Sequence, residues 1–235
     1  MSQRKLRRYR TAAPPPADGH GYVLVHTKEG PYWRKKRGSV KKAELNEAFQ
    51  KNAEATALAS PAAKRIRGKL KEFFKGLDTG RFIANISAKL KKTYITTGAW
   101  NFSLLEGYDL QPDHPLTELF RGNYYIIEKK GEVTIHIPIG KETVKRHNSL
   151  VTDYYFDLII LYGDPSKKND LRIESETSKL YPTHRELKTE CNLSLSLPAK
   201  KTPWMILLKL SCLEGNAPAS HPRHYGMKVV QVGMG

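Results

Sequence analysis

Asn192-Leu193-Ser194-Leu195-Ser196-Leu197 alternates polar and apolar side chains without a break, and Thr134-Ile135-His136-Ile137 does the same. A period of two sends every second side chain to one face, the mark of a sheet packed on one side and wet on the other. From Thr96 onward the period of the chain changes from 3.6 to 2. Segments 123–128, 132–139, 153–161, 171–177, 190–197, 204–213 and 225–232 all read as strands, with a further short candidate at 100–105. Breakers stand between them at Lys130-Gly131, Gly163-Asp164-Pro165, Leu197-Pro198 and Gly215-Asn216-Ala217-Pro218. Seven to eight short strands with no helix between them predict an antiparallel β-sandwich over residues 99–235.

Upstream of that point the period is 3.6. Ile66, Leu70, Phe73, Phe74 and Leu77 fall on one face of a helix, with Ser60 placed as N-cap and Pro61 at the first helical position. A helix over 39–58 is expected before it, with Val40, Leu45, Ala48 and Phe49 as its stripe. Another is expected over 81–94, with Phe82, Ile83, Ile86, Leu90 and Tyr94. Further upstream, Tyr22-Val23-Leu24-Val25-His26 and the run beginning at Tyr32 flank Lys28-Glu29-Gly30-Pro31, which reads as a β-hairpin. The fold class is therefore α+β. It comprises a flexible basic arm at 1–20, a basic hairpin and helical region at 21–98 whose helices pack on the hairpin, and the sandwich.

Charge follows the same division. Residues 1–98 hold 23 Lys+Arg against 7 Asp+Glu, a net of +16, whereas residues 99–235 hold 17 against 16, a net of +1. Charge segregated in this way implies a polyanionic partner. The densest cluster is Tyr32-Trp33-Arg34-Lys35-Lys36-Arg37, extended by Lys41 and Lys42 and preceded by Arg4, Lys5, Arg7, Arg8 and Arg10 in the arm. Aromatic rings stack on unpaired bases while cations release counterions from phosphates, so these positions are the candidate nucleic-acid contacts. Lys64, Arg65, Arg67, Lys69, Lys71, Lys89, Lys91 and Lys92 form a second basic surface on the helices. No helix-turn-helix, zinc-finger, RNA-recognition or basic-zipper pattern is present, so backbone contact without sequence specificity is the expected mode.

Catalytic patterns are weak. His221 and His224 are three apart but have no nearby carboxylate or cysteine to complete a metal set. Asp109, Asp113 and His114 read as a capped turn before Leu116. Asp153 and Asp157 share a strand face and read as solvent-facing. Cys191 and Cys212 sit within strands as buried thiols, with neither disulfide nor metal spacing. There is no GxSxG, HExxH or phosphate-binding glycine loop. No cofactor is expected. The N-terminus lacks the apolar run of a signal peptide, and no stretch approaches the ~20 apolar residues of a membrane span. The expected setting is cytoplasmic or inside a virion or particle.

Gly30-Pro31-Tyr32-Trp33-Arg34-Lys35-Lys36, Glu44-Leu45-Asn46-Glu47-Ala48-Phe49 and Ala57-Leu58-Ala59-Ser60-Pro61-Ala62-Ala63-Lys64-Arg65-Ile66 together cover about 40 residues. In order of elements they resemble the N-terminal segment of a bacterial family associated with phages and mobile elements. That family has no established function to transfer, so the resemblance implies no activity and only adds slightly to the expectation of a structural or assembly role. The expected function is thus a non-enzymatic binding or assembly protein. Its basic region contacts nucleic acid or another polyanion, and its sandwich contacts a protein partner or a second copy. The alternative is a protein- or glycan-recognition sandwich, for which Tyr124, Tyr125, Tyr154, Tyr155 and Trp204 are the candidate aromatics.

Overall fold

A computed structural model describes residues 21–27, 30–36, 46–145, 150–184 and 188–234. The expected arm at 1–20 and the cations Arg37, Lys41 and Lys42 lie outside these residues. The chain divides into two compact units, Met1–Phe49 and Gln50–Gly235.

In the first unit, β1 (Tyr22–Thr27) pairs antiparallel with β2 (Gly30–Lys35), and the ladder runs on through a bond from Lys36 N–H to the Gly21 carbonyl. This is the hairpin anticipated from the Val- and Tyr-rich runs on either side of Gly30-Pro31.

Helix α1 (Glu47–Lys69) begins where the Asn46 side chain accepts the backbone N–H of Phe49, an N-cap bond of 2.9 Å. It then runs through Pro61 without the expected break. Ser60 is therefore not an N-cap, and the two helices anticipated at 39–58 and from 60 onward are one element as far as they are described. The reason is the buried face. Ala55, Ala59, Ala62, Ala63 and Ile66 repeat at helical spacing on both sides of the proline, so ending the helix there would uncover half of it. A proline inside a helix costs about 3 kcal/mol, partly offset by about 1 kcal/mol from its stiffening of the unfolded chain. Pro61 is exposed. Pro61→Ala should therefore stabilise the protein by about 2 kcal/mol in chemical denaturation. A neutral or destabilising result would show that Pro61 relieves something the straight helix cannot.

α1 stops at Lys69, short of the expected Leu77. A 3-10 turn at Lys71–Phe74 takes over and leaves Phe73, Phe74 and Leu77 partly buried. Helix α2 (Phe82–Thr97) ends at Gly98, whose φ of 72° lets its N–H reach back to the Tyr94 carbonyl at 2.8 Å. The ring of Trp100 stacks on Tyr94 just beyond the cap. Where a strand was expected at 100–105 there is a 3-10 turn at Ser103–Leu105, with Leu105 buried. A short helix, α3 (Leu116–Leu119), follows.

The strands are β3 (Tyr125–Lys129), β4 (Glu132–Ile139), β5 (Val151–Tyr162), β6 (Arg172–Thr177), β7 (Tyr181–Pro182), β8 (Thr189–Ser196), β9 (Pro203–Glu214), β10 (Ala217–Pro218) and β11 (Tyr225–Met234). All seven longer ones match an expected segment; β7 and β10, two residues each, had no periodic signal to give. They form two antiparallel sheets. The smaller has the order β3-β4-β8. The larger has β10-β9-β5-β6, with β11 also alongside β9 and β7 alongside β5.

Between the sheets, Val133, Ile135 and Ile137 of β4 and Leu193 of β8 pack with Phe156 and Leu158 of β5 and Ile206 and Leu208 of β9. The outer face of the small sheet is polar along β4 and β8, as their alternation requires. There Thr134 meets Ser194 at 2.7 Å and His136 meets Asn192 at 2.8 Å.

The large sheet behaves differently. Ile159 and Leu161 of β5, Met205 and Leu207 of β9, and Met227 and Val229 of β11 bury the opposite face against Ile66, Leu70, Phe82, Ile86 and Leu90 of the helical segment. The helices thus share a core with the sheets, where the sequence reading had grouped them with the hairpin. The cause lies in β5 and β9 themselves. Leu158–Leu161 and Trp204–Leu208 are unbroken apolar runs, and such strands need cover on both faces. The second unit is therefore three layers deep: helices, large sheet, small sheet.

Candidate functional site

The hairpin register separates its aromatic and basic residues. Tyr22 stands opposite Lys35 and Leu24 opposite Trp33, while Val23 stands opposite Arg34 and Val25 opposite Tyr32. Directly opposed residues share a face and neighbours alternate. One face therefore carries Trp33 and Lys35 over Tyr22 and Leu24, and the other carries Tyr32 and Arg34 over Val23 and Val25. The sequence run of two aromatics and successive cations is divided between the two faces, Trp33 and Lys35 joining Tyr22 on one and Tyr32 and Arg34 on the other. Arg34, Lys35 and Lys36 are all exposed, Tyr32 is 50% exposed, and Trp33 is half-buried.

On the helical layer, residues 50–98 hold 11 Lys+Arg against 3 Asp+Glu, a net of +8. Lys64, Arg67, Lys69, Lys71 and Lys92 are exposed there. Two of the expected surface cations are employed within the fold. Arg65 donates to the carbonyls of Pro165 and Ser166, each at 2.9 Å, tying α1 to the loop after β5. Lys89 donates to the Leu104 carbonyl and stands over the Tyr108 ring. Lys91 and Lys92 border a groove between α1 and α2 with Ala59 and Ile95.

Several residues considered for chemistry have structural partners. Asp109 accepts the Leu116 N–H at 2.9 Å and so holds the start of α3; burial raises its pKa, against the lowering effect of that bond and of Lys228. The His221 ring lies near both His114 and His224, yet no three His, Cys, Asp or Glu side chains converge as a metal set among the described residues. Cys191 and Cys212 are buried free thiols, and burial pushes the Cys212 thiol up to about 12. Of the aromatics named for a glycan surface, Tyr154 and Trp204 are buried in the core between the sheets, Tyr124 and Tyr155 are half-buried, and Tyr125 is exposed.

Asp157 departs most from its sequence reading. It was expected to face solvent, but it is only 6% exposed, because the helix-facing side of the large sheet is covered. Its neighbour across the β5–β9 ladder is Lys209, 4% exposed. Together with Glu72, Phe73, Lys75, Tyr155, Pro218 and Tyr225 they line a cleft of about 220 Å³. The ring of Tyr225 is held there on two sides. Its hydroxyl donates to the Ala219 carbonyl at 2.5 Å, and Gly76, at φ of 86°, leaves the space that a Cβ would take from the ring. A signal for this cleft was available in the sequence: Asp157 and Lys209 each stand next to an unbroken apolar run in a long strand.

Neither a protein-family model nor a curated protein matches the chain. No helix among the described residues is long and apolar enough to cross a membrane.

Proposed function

We propose that this protein is a binding or assembly protein that holds nucleic acid, or a polyanion of like charge density, through its basic N-terminal region without reading sequence. The observation that carries the reading is the hairpin, in which Arg34 and Lys35 of β2 and Lys36 just after it are exposed and each face holds both a cation and an aromatic ring. Such a ribbon suits a flexible single strand, whose bases stack on rings while its phosphates meet cations. The net +8 of residues 50–98 adds a second basic surface on the helical layer.

The near-neutral sandwich takes the other half of the role, contact with a protein partner or a second copy. At the edge of the small sheet, β3 pairs with β4 alone among the described residues and exposes Tyr125 and Ile127, a strand open to pairing. A glycan surface draws less support, since two of its five candidate rings are in the core.

The test is binding of the full chain to labelled single- and double-stranded DNA and RNA across a salt series. Six or more phosphate contacts predict an affinity loss of about a thousandfold between about 50 and 200 mM salt. Affinity that ignores salt would contradict the reading.

A further inference from the structure

Lys209 meets its surroundings through the face of the Tyr225 ring and the charge of Asp157 rather than through a hydrogen bond. It is almost fully buried, it makes no hydrogen bond or ion pair with any described residue, and its Nζ lies 5.9 Å from the centre of the Tyr225 ring. A buried ammonium costs several kcal/mol unless it is paired and hydrogen-bonded, and a buried amine avoids that cost by shedding its proton. Asp157 faces the same cleft, where its Oδ1 accepts the Thr177 hydroxyl at 2.7 Å and the rest of its acceptor capacity stays free for a second partner. Two strand neighbours add further polarity. Tyr155 lines the cleft, and opposite it on β9 the Ser211 hydroxyl is buried with no partner among the described residues. At about 30 Å³ per water, the space holds roughly seven water molecules, which is room for a small organic molecule.

We infer that Lys209 captures a small aldehyde or ketone in this cleft as an imine, with Asp157 as the acid and base of the step. The lone pair of the amine attacks the carbonyl carbon, a C–N bond forms, and the oxygen takes a proton from the Asp157 carboxyl. The nitrogen returns a proton to that carboxylate. The resulting hydroxyl then takes the carboxyl proton and leaves as water, and the nitrogen's last proton restores the acid. The sum is amine plus carbonyl to imine plus water, with no change of oxidation state. Nothing in this depends on the polyanion reading.

Burial favours the protonation states the step requires. It lowers the Lys209 pKa, with the charge of Asp157 opposing and that of Lys75 assisting. It raises the Asp157 pKa, with Thr177 and Lys209 opposing. Glu72, Lys75, Tyr155 and Tyr225 are the other titratable groups facing the cleft. Burial thus shifts Lys209 toward the neutral amine, the form that acts as a nucleophile.

The test treats the full chain with acetaldehyde and cyanoborohydride at neutral pH and follows each lysine by peptide mass. Lys209 should gain an ethyl group at least about tenfold faster than exposed Lys64 or Lys92. That preference should vanish in urea, and Asp157→Asn should slow the Lys209 reaction about tenfold. Labelling confined to exposed lysines, or equal rates at all of them, would overturn the proposal. An unchanged Lys209 rate in a folded Asp157→Asn variant would remove Asp157 from the step.

Discussion

Replacing Arg34, Lys35 and Lys36 together with Ala should weaken binding to single-stranded nucleic acid by roughly a hundredfold at about 0.1 M salt. Each phosphate contact on a single strand contributes about −0.7 to the slope of log affinity against log salt, so three contacts contribute about −2. Extrapolated from about 1 M, that slope is worth roughly two decades at about 0.1 M. The substitutions leave the hairpin's backbone ladder in place, because Lys35 and Arg34 pair through backbone groups and Lys36 through its N–H. A control triple at the exposed Lys129, Lys130 and Lys200 on the sandwich changes net charge equally and should shift affinity by only a few-fold. Equal losses in the two triples would mean that net charge alone governs binding and that the hairpin has no special part in it.

The second large effect concerns the three-layer core. Leu207 is wholly buried on β9, on the face the helices cover, among Ile66, Leu70, Ile86 and Met227 in one cluster. Leu207→Ala removes this packing and leaves a cavity, which costs about 2–5 kcal/mol. Ile127→Ala on the exposed side of β3 should cost less than about 0.5 kcal/mol. Because helices and large sheet share the cluster, the helical far-ultraviolet signal and the fluorescence of Trp204 in the core should be lost in one transition, shifted together by the substitution. If the helical signal melted first and alone, the shared core would be wrong.

The sequence signals behind these expectations were uneven, for physical reasons. The longer strands announced themselves because alternation, or an unbroken apolar run, survives in sequence whatever packs above it. The hairpin was equally open, being two β-rich runs around Gly30-Pro31. The Ser60-Pro61 pair misled because capping is a local preference, whereas the alanine face on both sides of it is settled by what the sheet requires. Small residues at 55, 59, 62 and 63 give a weak hydrophobic stripe, so that requirement was hard to see. The cover on both faces of β5 and β9 was legible in Leu158–Leu161 and Trp204–Leu208, and with it the burial of Asp157 and Lys209. Their meeting across the ladder was not, since register depends on the intervening turns. Likewise, the division of Tyr32 and Trp33 between two faces follows from alternation alone, but which partners each ring meets required the pairing.

The most direct test of the central claim compares salt slopes for a labelled single-stranded RNA bound by the full chain and by a chain lacking residues 1–37. The account predicts tight, salt-sensitive binding by the full chain, with a slope that falls by at least about 2 units when the hairpin and the residues before it are removed. An identical slope for the two chains would place the contacts elsewhere. No binding by the full chain at low salt, from a protein of net charge +17, would contradict the polyanion reading outright.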